Sequence, residues 1–119
     1  IFQYANRFRN FYAIATADDK SELKRTFDEV LNDNLNVVCK ALTKPVVSDS
    51  TNVTINGLNG VRMEVFGKMS DEPIYFSEVL LQSNTRLYHI SIWTRGQERK
   101  SLYKADIDSI ISSFKEVAR

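Results

Sequence analysis

A chain with one histidine and one cysteine has few routes to covalent or metal chemistry, and here those residues are His89 and Cys39. Together they could make a thiolate–imidazole nucleophile pair. Cys39, however, falls on an apolar helical stripe between Leu35 and Leu42, where a free cysteine behaves as a small core residue. His89 stands mid-strand between Tyr88 and Ile90. A zinc site would need further histidines, cysteines or carboxylates at ligand spacing, and none flanks it. We read both residues as structural. No catalytic, cofactor-binding or metal-ligating residue is assigned, no cofactor is expected, and the chain is not expected to be an enzyme.

The acidic residues are dispersed. Asp18-Asp19, Asp28-Glu29, Asp71-Glu72, Asp106 and Asp108 fall at helix starts, on helix surfaces or in turns. Asp106 and Asp108 are two apart on a helix and so point in different directions. None of these pairs has the character of a glycosidase couple or a metal loop. The remaining polar constellation is the loop after Trp93. Trp93, Arg95, Arg99, Lys100 and Tyr103 could together contact an anion or a partner. The alternative is an ordinary surface loop closed by a core aromatic, and we favour it. Asn52-Val53-Thr54 fits a glycosylation sequon, which matters only in a eukaryotic secretory setting.

The stretch "VTINGLNGVRMEVFGK" reads as strand, turn, strand. Asn56-Gly57 is a strong hairpin signal because both residues tolerate positive φ, and Asn59-Gly60 repeats it. The pair predicts a compact connection of four to five residues, Asn56 to Gly60. A phosphate cradle would run into a helix N-terminus, whereas the residues after Gly60 alternate as a strand. The loop is therefore read as a turn and not as a ligand site.

The elements around these residues follow from periodicity. "IFQYANRF" and "NFYAIATA" predict two strands, or one bent strand, over residues 1–17. Asp19, with Glu22 three residues on, predicts the N-cap of a long helix. Leu23, Phe27, Val30, Leu31, Asn34/Leu35, Val38, Cys39 and Leu42 form its buried stripe, and Thr43-Lys44-Pro45 ends it. Four strands follow: Val46 to Ile55, Val61 to Lys68, Pro73 to Gln82 and Leu87 to Thr94. Their short connections favour antiparallel hairpins. In the third, Ile74, Phe76 and Leu80 face one way and Tyr75, Val79 and Leu81 the other. In the fourth, Leu87 and Trp93 oppose Tyr88, Ile90 and Ile92. Strands apolar on both faces are covered on both faces. One cover is a C-terminal helix from near Ser101 to near Phe114, with Leu102, Tyr103, Ile107, Ile110, Ile111 and Phe114 at helical spacing.

The bulk properties agree with one domain. The 119 residues are 43% hydrophobic and 26% charged, the composition of an ordinary globular chain. Sixteen basic against fifteen acidic residues give a net charge of +1, so no global field gathers nucleic acid. No run approaches the roughly 20 apolar residues of a spanning helix. A single cysteine makes no intramolecular disulfide.

The segments "VTINGLNGVRMEVFGK", "YFSEVLLQSNTRLYHISIWT" and "DIDSIISSFKEV", in that order, resemble the PsbP-like fold family, which includes PsbP itself, Ran-binding Mog proteins and bacterial lipoproteins. The N-terminal "FQYANRFRNFYAIATADDKSEL" is similar to the lipoprotein branch. The resemblance implies an α+β chain: an antiparallel sheet of about five to six strands packed as an α/β/α sandwich between the long helix and the C-terminal helix. It implies residues 1–119 as a single PsbP-like domain, truncated at its N-terminus because the chain starts inside a strand pattern. It carries over no catalytic residue.

The expected function is a non-enzymatic, extracytoplasmic binding or accessory domain of bacterial origin, attached to the membrane only through an upstream lipid anchor. Its expected partner is a protein and not nucleic acid. The alternatives are a cytosolic protein-binding module of the Ran-binding kind and a small-molecule carrier with a helix–sheet pocket.

Overall fold

The computed structural model describes residues 2–6, 11–22, 24–95 and 107–114. Leu23, on the expected helical stripe, and Arg99, Lys100 and Tyr103, in the expected contact set, lie outside the described residues. So does Ser101, where the last helix was expected to start.

The chain is an α+β protein built on an antiparallel sheet. In order, the elements are β1 (Phe2–Asn6), β2 (Phe11–Asp19), α1 (Phe27–Ala41), β3 (Thr43–Val47), β4 (Thr51–Ile55), β5 (Leu58–Met69), β6 (Glu72–Gln82) and β7 (Arg86–Arg95). Residues 107–113 are helical. Among the described residues the sheet has seven strands in the order β1-β2-β7-β6-β5-β3, with β4 also on β5.

The sheet is six strands wide, within the five to six expected, and its outermost position is divided because Val46 to Ile55 is two strands and not one. Val46 and Val47 on β3 pair with Phe66 and Val65, whereas Thr51 to Ile55 on β4 pair with Arg62 to Leu58. The polar "SDS" between them leaves the ladder. Ser48 bridges the break: its N–H donates to Glu64 O (2.8 Å) and its Oγ accepts from Glu64 N (2.9 Å). Both short strands thus share the outer edge of the long β5.

The helix also starts later than Asp19. Asp18 and Asp19 remain in β2, paired with Leu87 and Arg86, and strand pairing excludes helical dihedrals there. Asp19 instead accepts from Ser21 N (3.0 Å) and Ser21 Oγ (2.9 Å) in a local turn, and these bonds hold its carboxyl below the usual aspartate range. The N-cap is Thr26. Its Oγ1 accepts from Glu29 N (3.2 Å) while Glu29 Oε1 accepts from Thr26 N (3.0 Å), a reciprocal capping box. Two Asp/Thr-x-x-Glu patterns compete in this stretch, and the β2–β7 ladder removes the first.

Asn56 (φ 48°) and Gly57 (φ 84°) form a two-residue turn, with Ile55 paired to Leu58. This is shorter than the Asn56 to Gly60 connection expected, because Asn59-Gly60 belongs to β5. Gly60 stands in the ladder between Val53 and Leu81, and a Cβ there would lie 2.0 Å from Leu80 O. Glycine is required by the close approach of a neighbouring backbone and not by turn geometry.

Alternate residues of β6 enter different cores. Ile74 and Phe76 join Val65, Val38 and Leu42 in one cluster, and Leu80 joins Val30 and Leu87 in another. Both clusters include α1, which therefore runs down β6 from the Leu80 end to the Ile74 end. Its 15 residues span ~22 Å at 1.5 Å per residue, close to the ~20 Å from Leu80 to Ile74 along the strand. Tyr75, Val79 and Leu81 instead join Tyr88, Ile90, Ile92, Ile107 and Ile111. The two-sided apolar pattern of β6 and β7 is thus used on both faces.

Candidate functional site

Three features of the described residues could engage something else: a polar layer beneath α1, the surface around Trp93, and a cavity beside residues 107–113.

The polar layer divides the α1 face of the sheet. Glu78 lies on β6 between Phe76 and Leu80, on the same face, and is 3% exposed. Its register partner is Ser91, and His89 pairs with Leu80. Ser91 Oγ donates to Glu78 Oε1 (2.7 Å), and His89 Nε2 lies 2.6 Å from Glu78 Oε2. A buried carboxylate needs such partners, because desolvation without them costs several kcal/mol. Half-buried Asn34 occupies the α1 stripe one turn from both Val30 and Val38. The layer therefore separates the Val30–Leu80–Leu87 cluster from the Val38–Val65–Ile74–Phe76 cluster.

The order of groups in this layer decides what it can do. A nucleophilic relay places the histidine between acid and hydroxyl. Here the acid lies between, and the hydroxyl spends its proton on the carboxylate. The arrangement orients the imidazole without activating Ser91. Cys39 stands apart from it, packed against the Val38–Leu42–Phe76 cluster beside Trp93. The sequence held a signal for this layer that single-residue reading missed. Glu78 is a lone charge inside "IYFSEVLL", and His89 and Ser91 are the polar positions of matching parity on the next strand.

The residues expected to contact a partner or anion fall in two groups. Trp93 stacks on its cross-strand neighbour Phe76, with ring centroids 5.7 Å apart and planes at 25°. Arg95 Nη2 pairs with Glu72 Oε2 at 3.1 Å across the β6–β7 hairpin. Both side chains are half-buried at the end of β7. Arg99, Lys100 and Tyr103 lie outside the described residues.

On the opposite face, a cavity of about 340 Å³ opens between β2, β7 and the helical residues 107–113. Ala13, Ile14, Ala15, Ile90, Ile110, Ser113 and Phe114 line it. The small side chains at 13 and 15 leave the space that a larger residue on β2 would fill. Ser113 Oγ donates to Ile110 O (2.8 Å), so this hydroxyl is already used by the helix backbone. The helical wall is fixed at three points. Arg62 Nη2 on β5 pairs with Asp108 Oδ1 (2.9 Å), Phe114 packs edge-on against Tyr88 (5.2 Å), and Asn56 Nδ2 donates to Ser112 O (3.0 Å) and Phe114 O (2.6 Å).

Near Arg62, the Tyr75 hydroxyl is pushed up to about 12, first by burial and then by the negative charge of Glu64. A phenol so disfavoured as an anion is a hydrogen-bonding group and not a base. Among the described residues, no group of three or more His, Cys, Asp or Glu could hold a metal ion, and no helix is long and apolar enough to cross a membrane.

No family model and no curated protein matches the chain. Among solved structures, the fold is shared with a Pseudomonas aeruginosa protein of unknown function, PA94. The two align with a TM-score of 0.71 at 9% identity, over 92% of this chain and 74% of that one. At such low identity the likeness concerns the path of the backbone alone.

Proposed function

We propose that this chain is a non-enzymatic binding domain that carries a small, neutral, apolar ligand in the cavity between β2, β7 and residues 107–113. The single observation behind this reading is the cavity's composition. Its volume of about 340 Å³ falls within the range of small-molecule sites, and the described residues that line it offer aliphatic and aromatic surface with no charged side chain among them. A charged ligand would be desolvated there without a counter-charge, which costs far more than the burial gains. The ligand class that fits is therefore hydrocarbon-like, such as an acyl chain or a terpenoid.

The same proposal takes the architecture as an α/β/α sandwich of the PsbP-like kind, with α1 and the C-terminal helix as its outer layers. The sequence resemblance supports this reading, and with it an extracytoplasmic, lipid-anchored setting in a bacterial envelope. A protein partner at the Trp93–Arg95 end of β7 is the second reading. It is favoured by a half-buried tryptophan beside an arginine at the end of a strand.

Titration with Nile red, a neutral apolar fluorophore, tests the carrier reading. Saturable binding that dodecanol displaces is expected in the wild type and should be lost in Ala15→Phe, which fills the cavity from β2. Absence of binding, or equal binding by the folded Ala15→Phe variant, overturns it. Fractionation of the native cells tests the setting, which fails if the protein sediments with neither envelope nor exported fractions.

A further inference from the structure

The Asn56-Gly57 turn does more than reverse the chain, because its amide ties the sheet to the end of the last helix. Asn56 Nδ2 donates to Ser112 O and to Phe114 O, at 3.0 and 2.6 Å. These carbonyls stand at and just beyond the end of the helical residues 107–113, where the helix dipole is negative. The tether therefore requires a donor at Asn56, and a carboxylate in its place would face like charge. Asn-Gly is also the dipeptide at which a side-chain amide is most open to attack by the following backbone nitrogen, since glycine has no Cβ to hinder the approach.

We propose that Asn56 is a site of spontaneous deamidation that releases residues 107–114 from the sheet. The Gly57 nitrogen bonds to Asn56 Cγ, the Cγ–Nδ2 bond breaks, and ammonia leaves with the proton from the Gly57 N–H. Water then opens the resulting succinimide to aspartate or isoaspartate. No oxidant, reductant or enzyme is needed. Either product replaces the two donated hydrogen bonds with a carboxylate beside two carbonyl oxygens. Isoaspartate also lengthens the backbone of a two-residue turn whose positive dihedrals leave no slack.

The chain contains its own control. Asn59-Gly60 has the same dipeptide three residues later, yet Gly60 lies inside the sheet between Val53 and Leu81. Asn59 Oδ1 there accepts from Thr54 Oγ1 at 3.0 Å. Attack by the Gly60 nitrogen requires opening of the ladder. Gly57 lies outside the ladders, in a turn where a Cβ would meet nothing within 4 Å, and the turn borders a solvent-open polar cleft formed with Lys20, Gln82, Ser83 and Asn84. Its opening costs only the tether. Local opening of this kind spans free energies from near zero to the global value, and exposed ends lie at the low end.

The proposal does not depend on the cavity holding a ligand, although Ile110, Ser113 and Phe114 line it and would move with the helix. The test is prolonged incubation of the folded protein in mildly alkaline buffer, followed by peptide mass spectrometry and hydrogen exchange. Asn56 is expected to convert while Asn59 keeps its amide, and amide protection at residues 107–114 is expected to fall in step with conversion. Asn56→Asp should show the same loss of protection from the start, and Gly57→Ala should slow conversion. Retention of the amide at Asn56, conversion of Asn59 first, or conversion of Asn56 with helix protection unchanged would overturn the proposal.

Discussion

Glu78 Oε2 and His89 Nε2 stand 2.6 Å apart across the β6–β7 ladder, beneath α1 and between two apolar clusters. Imidazole and hydroxyl both contact the carboxylate, and removal of the pair has a defined cost. Glu78→Ala leaves His89 and Ser91 without their acceptor and opens a void, and should cost about 3 kcal/mol of unfolding free energy. The double change Glu78→Leu with His89→Leu removes the close pair, leaving the Ser91 hydroxyl without its acceptor, and should recover part of that loss. Urea unfolding of the three proteins measures the difference. Equal loss in single and double variants would show that the pair contributes nothing through its mutual contact.

The helix cap can be located by two substitutions. Thr26→Ala removes the acceptor for Glu29 N and should destabilise by about 1 kcal/mol. Asp19→Ala should leave α1 intact, because Asp19 caps a local turn at the end of β2. Circular dichroism during thermal unfolding separates the two. A larger loss of helix signal from Asp19→Ala would restore the earlier helix start.

The β5–β6 hairpin is built on an unfavourable pair of turn residues. Ser70 (φ 50°) and Asp71 (φ 64°) both occupy the left-handed region, which glycine, asparagine and aspartate tolerate better than serine. Replacing Ser70-Asp71 by Asn-Gly should stabilise the fold by about 1 kcal/mol, read as an upward shift in the urea midpoint at unchanged slope. No shift would place the strain elsewhere.

Two glycines respond to alanine for different reasons. Gly60→Ala drives a Cβ to within 2.0 Å of Leu80 O and should cost about 3 kcal/mol by parting β5 from β6. Gly57→Ala meets open space and bears only the dihedral strain of φ 84°, about 1 kcal/mol. Chemical denaturation ranks them, and the reverse ranking would contradict the two-residue turn.

Alkaline pH tests the buried phenol. Tyr75 ionises near 12 in the folded chain against 10.0 for an ordinary tyrosine, so the unfolded state gives up its proton first. The neutral phenol's contribution is whole below pH 10 and is lost as pH rises from 10 towards 12. Phenolate absorbance with parallel unfolding measurements should show this decline in the wild type and its absence in Tyr75→Phe. An identical decline in both would assign it to another group.

The elements with a strong local pattern could be read directly. Alternation on both parities in "PIYFSEVLL" and "LYHISIW" could be read as apolar on both faces, and side chains of the two parities do enter different clusters. Asn56-Gly57 could be read as a turn because both residues tolerate its dihedrals. Choices between locally equivalent patterns were settled elsewhere in the chain. Asp19 to Glu22 and Thr26 to Glu29 fit a capping box equally well, and only the pairing of β2 with β7 selects the second. Asn56-Gly57 and Asn59-Gly60 fit a turn equally well, and only the ladders on both sides of Gly60 decide between them. His89 and Ser91 lie 11 and 13 residues after Glu78 and meet it because of strand register. The cavity depends on where a helix from one end of the chain crosses a strand from the other. Sequence by itself determined what each segment prefers, since dihedral preference and side-chain periodicity are local. Tertiary structure alone decided which preference was used, because burial and ladder hydrogen bonds join residues far apart in the chain and outweigh the small local differences.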